Sequence, residues 1–350
     1  MGDISWLSMP KQMSPEIIMA VAKALGELAS AQRRHFAVVL HGGEPLMLGH
    51  AKLDFLLTAL RKALSADYPI SIQTNGILIT EAILDVCAKH HTSLGVSIDG
   101  PSHVHDQHRI DHKGEGTCEK VLKGLERLRN HWDAHFLYAG VLAVIDPISD
   151  PCEVYSFFKE LDPPSIDFLY RDGNHTRLPY GKVSVQSTEY GLWLTRLLDI
   201  YLADPTPIPI RLLDDTIKLV LGGFSIKEGM GTKDFGILII DTDGSVRKND
   251  TLKSAFHGAD RFAHSWSVHT HLLPDVINSP EFATYYTMQR PTASACLACP
   301  ELGVCGGGMP VQRWRDDNGY DNPSVYCADQ LLLIGHLRNR LTTLLSLGRI

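Results

Sequence analysis

The stretch "FAVVLHGGEP", residues 36 to 45, sets a short β-rich run against an exit made of glycine, carboxylate and proline. Valine and leucine favour a pleated strand, and Gly42, Gly43 and Pro45 end it. The same pattern recurs down the chain. "ISIQ" runs into "QTNG" (73–76), "LGVSI" into "SIDGP" (97–101), "LYAGVLAV" into "VID" (144–146) and "IDFLY" into "YRDGNH" (170–175). Helical patterns fill the intervals. "SPEIIMAVAKALGELA" offers Ser14 as N-cap and Pro15 at the first helical position, with Ile17, Ile18, Val21, Leu25 and Leu28 on one face. Thr117 precedes "CEKVLKGLERL" as a cap, and Asp150 with Glu153 has capping-box spacing. A leading helix followed by repeated β-α units predicts an α/β fold with parallel strands wrapped by helices. In such folds the carboxyl ends of the strands converge on one face. One polar exit is ordinary punctuation, but five in succession predict a composite site there.

Bulk properties narrow the function. With 44% apolar residues in 350, the chain can bury a large core and is expected to form one large domain and a smaller one. Lys plus Arg number 33 against 40 Asp plus Glu, so no global basic field attracts nucleic acid or an anionic membrane. The longest apolar runs are too short to span a bilayer, and the first residues lack a signal-like pattern, which predicts a cytoplasmic protein. There, an odd count of seven cysteines argues for metal binding over disulfides.

Beyond residue 175 the alternation fades. "TEYGLWLTRLLDIYLA" reads as an amphipathic helix, "ILIIDTDGSV" as a hairpin turning at Asp-Gly, and residues 328–346 as a final helix. Between them lie Cys296, Cys299, Cys305 and Cys327 in the pattern C-x2-C-x5-C-x21-C. Four thiolates suit tetrahedral zinc or a [4Fe-4S] cluster about equally on ligand chemistry. The three glycines after Cys305 favour the cluster, because they let backbone N-H groups approach its sulfurs. Cys87, Cys118 and Cys152 fall in separate helices with apolar neighbours and read as packed core residues.

Taken in order, "HGGEP", "QTNG", "SIDGP…HDQHR" and the cysteine tail resemble radical SAM enzymes with a C-terminal SPASM domain. The resemblance extends to peptide maturases, namely anaerobic sulfatase-maturating enzymes and the FxS-type enzymes that form cyclophanes. It implies a partial (β/α)6 TIM-like barrel over residues 1–235 and a SPASM-like domain over 236–350. It implies that Gly42, Gly43 and Glu44 contact the SAM amino group, that Asn75, Ser97 and Asp99 surround its ribose and carboxylate, and that Arg109 binds the carboxylate. The rival reading of Arg109 is an ion pair within "HDQHRID". Cys296, Cys299, Cys305 and Cys327 match a fully ligated auxiliary [4Fe-4S] cluster. A first auxiliary cluster would need cysteines where Asn249 and Met309 stand, which predicts its absence. Asp250 stands where sulfatase maturases place a catalytic base. Asp172 and His175 of "RDGNH" are expected to face substrate. The implied partners are a precursor peptide or protein substrate and an electron donor.

That chemistry needs a second [4Fe-4S] cluster with an open iron, held by a C-x3-C-x2-C loop after the first barrel strand. This sequence contains no such loop. "MGDISWLSMPKQMSPEI" resembles the segment that follows it, so the expectation is an N-terminus that begins too late and a barrel lacking its first strand. The rival is a degenerate peptide- or partner-binding scaffold that has lost SAM cleavage.

Overall fold

The computed structural model describes residues 5–233 and 236–346. Met1 and Phe235, the last residue of the expected first domain, lie outside them. Five parallel strands form one sheet in sequence order: β1 (Val38–Leu40), β2 (Ile70–Thr74), β3 (Thr92–Ser97), β4 (Tyr138–Val144) and β5 (Ile166–Leu169). Each β-rich run of the sequence is one of these strands.

The two faces of the sheet differ. Ile70 and Ile72 of β2 and Leu94 and Val96 of β3 are buried, while Ser71, Gln73, Ser93 and Ser97 are only half-buried. Helices Gly49–Ala63, Glu81–Lys89 and Cys118–Asn130 join the apolar side through Leu53, Leu57, Leu84, Leu125 and Leu128, all fully buried. Parallel sheets usually bury both faces in apolar contacts. Here β2 and β3 carry small and polar side chains on the second face, which Val39, Leu142, Val144 and Leu169 of the other strands continue as partly exposed apolar surface. β1 pairs only with β2 and leaves Val39 52% exposed, whereas β5 is extended by a single parallel bridge between Ile166 and Ile210.

Helix ends follow the sequence in part. Ser14 caps Pro15–Ala31 by accepting from Ile17 N, and Asp150 caps Pro151–Leu161 by accepting from Cys152 N. The expected Thr117 cap is not formed, because its hydroxyl donates to the Arg109 carbonyl at 2.8 Å. Glu153 completes no capping box and lies 3.3 Å from His103 instead. Cys87 and Cys118 are buried as expected, but Cys152 is exposed, since it sits in a first helical turn that faces solvent.

The tail docks through its last helix, Cys327–Ser346, which packs on Glu189–Ala203. The crossing is close: a Cβ on Gly191 would lie 2.8 Å from the Asp329 Cα. Asp329 accepts from Gly191 N at 2.8 Å and from Lys182 Nζ at 2.6 Å, with both ionic side chains fully buried. Removing one member of such a pair strands a charge, at a cost of about 3–5 kcal/mol. The expected hairpin is β6 (Ile239–Ile240) against β7 (Val246–Arg247), antiparallel, with Gly244 at φ +82° in its turn. Among the described residues no helix is long and apolar enough to cross a membrane.

Candidate active site

At the strand exits the polar side chains bind one another. Glu44 accepts from Leu46 N at 3.0 Å and Thr74 Oγ1 at 2.7 Å with one oxygen, and from Asn75 N at 2.8 Å with the other. It therefore staples the exit of β1 to that of β2. Gly42 and Gly43 stand clear, and a Cβ on either would meet no atom within 4 Å. Asn75 Oδ1 closes its own turn by accepting from Ile77 N, and Ser97 Oγ accepts from Gln73 Nε2 at 2.9 Å. Asp99, 6% exposed, forms a two-pronged pair with Arg109 (2.6 Å to Nε, 2.9 Å to Nη2) and accepts from Val144 N at 2.9 Å. Arg109 therefore does form an ion pair, but with the buried Asp99 of the β3 exit rather than with a carboxylate of its own segment 105–111.

A cavity of about 880 Å³ opens beside these exits. Asp99, Arg109, Val144 and Leu169 lie along its strand-end side, and Arg177 and Phe256 line it farther from the sheet in sequence. Residues 42–44, Asn75 and Ser97 do not line it, so it is displaced toward β4, β5 and the tail. The loop after β5 is fastened to later parts of the chain. Asn174 Nδ2 donates to the Ser254 carbonyl at 3.0 Å, His175 N to the Trp314 carbonyl at 3.0 Å, and Tyr326 Oη to the Arg171 carbonyl. His175 Nε2 lies 2.8 Å from the Pro323 carbonyl. Asp172 lines the cavity as expected, whereas His175 is turned to tail backbone.

Asp250 opens the 3-10 turn Asp250–Ser254 and is half-buried, outside the cavity lining. It acts on two other acids. The Asp172 carboxyl is raised by the protein packed around it and then by the charge of Asp250. Glu228 is pushed up to about 7, chiefly by burial; its Asn249 hydrogen bonds oppose this and Asp250 adds to it. Asn249 Nδ2 donates to both Glu228 oxygens, at 2.8 and 2.9 Å. A Cβ on the next residue, Gly229, would lie 2.7 Å from Met309 N. One dipeptide therefore touches both positions where a first auxiliary cluster would require cysteines. Neither residue is a thiolate and the Asn249 amide is committed to Glu228, so this place does not fit such a cluster. Sequence reading missed Glu228, whose burial depends on contacts 21 residues away.

The four tail cysteines do come together electrostatically. Burial, followed by the charges of Cys327, Cys296 and Cys299, pushes the Cys305 thiol up to about 12, and the Gly307 backbone N-H opposes this. Cys296 and Cys327 are raised by burial first, with neighbouring cysteines adding. Cys305 Sγ donates to Gln330 Oε1 at 2.6 Å. Gly306, Gly307 and Gly308 have φ of +69°, +83° and +71°, and a Cβ on Gly307 would lie 2.4 Å from Pro291 Cγ. Their backbone already demands glycine, whatever the thiols hold. Among the described residues, no three His, Cys, Asp or Glu side chains are grouped to hold a single metal ion.

Residues 5–146 match the Radical SAM superfamily. The chain is 28% identical over 316 residues to a serine-type anaerobic sulfatase-maturating enzyme of Bacteroides thetaiotaomicron, covering 82% of this chain and 72% of that enzyme. It is 24% identical over 323 residues to a cysteine-type counterpart from Clostridium perfringens, covering 90% and 84%. Among solved structures, anSMEcpe with bound AdoMet and the Cp18Cys peptide superposes with a TM-score of 0.80 at 21% identity, over 95% of this chain and 91% of that one. Streptococcus suis SuiB bound to its precursor peptide SuiA gives 0.59 at 15% identity, over 89% and 69%.

Proposed function

We propose that this chain, which belongs to the radical SAM superfamily and is related to its maturases, modifies side chains of a peptide or protein substrate through a radical drawn from SAM. The observation that carries this reading is the cavity itself: strand exits of the superfamily domain bound it on one side, tail-fastened loops on the other, and its volume suits a peptide segment. We divide the chain into a partial (β/α)6 barrel over residues 1–235 and a SPASM-like unit over 236–350, acting in the cytoplasm with an external electron donor.

In this reading Gly42, Gly43, Glu44, Asn75 and Ser97 form the SAM end. Glu44 contributes by fixing two strand exits in register, and the open backbone at Gly42 and Gly43 admits the ligand. Asp99 holds Arg109 by two of its nitrogens, which aims the remaining Nη1 edge at a carboxylate. Asp250 takes the substrate proton or binds the substrate as a carboxylate, and its charge reaches Asp172 in the cavity lining. Cys296, Cys299, Cys305 and Cys327 would hold a [4Fe-4S] cluster, which supplies electron transfer without a vacant iron. The open-iron cluster that cleaves SAM needs a cysteine triplet that this sequence does not contain, and no residue here is assigned to it.

Iron and acid-labile sulfide, measured after oxygen-free reconstitution, should each reach about four per chain. One zinc without sulfide would overturn the tail assignment. A version extended by a C-x3-C-x2-C loop should form 5'-deoxyadenosine from SAM and a strong reductant; peptide binding without any SAM cleavage would make the chain a scaffold.

A further inference from the structure

The cavity holds two guanidinium groups that form no ion pair with a carboxylate among the described residues. Of the other charged side chains lining it, Arg109 is paired with Asp99, Lys253 lies 4.0 Å from Asp260, and Asp316 accepts from Trp314 Nε1 at 3.0 Å. Asp172, exposed on the loop, has its carboxyl raised by the protein around it and then by the charge of Asp250, while the Arg171 charge opposes this. Arg171 and Arg177 remain, on the loop that follows β5. Arg171 has its Nε buried with no hydrogen-bond partner, and its guanidinium lies 5.2 Å from the centre of the Tyr180 ring. Tyr180 is held in turn by the Tyr190 hydroxyl at its carbonyl and by an edge contact with His108. The Arg171 carbonyl is fixed by Tyr326, so the side chain projects from a fastened backbone. In a chain of net charge -7, this local excess of cations is not inherited from the surface as a whole.

We propose that Arg171 and Arg177 read a carboxylate side chain of the substrate peptide, so that the substrate carries Asp or Glu near the residue to be modified. This rests on the peptide reading above. The alternative source is the carboxylate of SAM, assigned above to Arg109, which lines the same cavity but is already held by Asp99; the SAM-binding arm of the test below separates the two sources. Planar guanidinium groups pair with carboxylates through parallel N-H donors, and the Tyr180 ring supports that plane. Arg177 is exposed, so altering it tests the idea without disturbing the core.

The test is selection of random dodecapeptides on the immobilised full chain, followed by binding measurements on the best peptide made with an amidated C-terminus. Enriched peptides are expected to carry Asp or Glu. Replacing that residue by Asn or Gln, or making Arg177→Gln or Arg171→Gln, should each weaken binding about tenfold, and the combined changes should cost little more than either alone. Peptides enriched without a carboxylate, or indifferent to both arginine variants, would overturn the inference and leave the peptide reading standing. Enrichment of no peptide at all would remove both. Loss of SAM binding in equilibrium dialysis of Arg177→Gln, with peptide binding unchanged, would assign the guanidinium to SAM and overturn the inference as well.

Discussion

At the strand exits the charged groups are completed by the protein itself, whereas in the tail Cys305 donates to Gln330 and the thiols otherwise raise one another's pKa. Glu44 has three donors and Asp99 has a bidentate arginine and a backbone N-H. Such a site is rigid before any ligand arrives and can be shaped by folding alone. The tail instead holds Cys305 in a buried place where its thiolate is disfavoured, with Cys296 and Cys327 also raised. Its geometry is set by left-handed glycines and a buried Lys182–Asp329 pair rather than by the thiols. The difference teaches that the strand-exit end is fixed by its own hydrogen bonds, while the tail is shaped by its backbone and a buried ion pair rather than by its thiols.

Four measurements break or sharpen that contrast. The largest effect belongs to the tail: Cys305→Ser should reduce bound iron from about four per chain to background, while the apo fold survives. Persistence of full iron would mean that the thiols are not the ligands. Asp99→Ala strands Arg109 and the Val144 N-H, and should lower stability by about 3 kcal/mol in denaturant titration. Glu44→Ala unfastens two strand exits and should cost about 2 kcal/mol, with no effect on iron in the tail. A loss of iron there would erase the separation between the two ends. The smallest effect is a pH slope. Burial holds Glu228 at about 7 against the ordinary 4.5, so its stabilising, protonated form is complete below 4.5 and is lost as pH rises through 7. Between about pH 5 and about pH 8 the wild type should lose roughly 1–2 kcal/mol that Glu228→Gln retains.

Legibility in the sequence follows the range of the contacts. All five strands, the hairpin and the long helices rest on local periodicity and turn chemistry, and they are readable as such. The ordered exits also place Asp99 and Arg109 in one region. What escapes are choices made by distant neighbours. Thr117 gives up its cap for the Arg109 carbonyl, and His175 turns to Pro323, 148 residues away. Glu228 looks like any surface glutamate until Asn249 closes on it, with Met309 against the neighbouring Gly229. Cys152 reads as core from its apolar neighbours, but a first-turn position in a helix can face water whatever flanks it. The three glycines after Cys305 invite a ligand-centred explanation, yet their positive φ values and the contact of Gly307 with Pro291 suffice.

The fastening of the loop after β5 bears on the order in which the molecule is built. Trp314, Pro323 and Tyr326 hold His175 and the Arg171 carbonyl, so one wall of the cavity waits for the cysteine tail to leave the ribosome. The sheet can assemble during synthesis, but this wall of the cavity takes shape only when that tail has folded back on it.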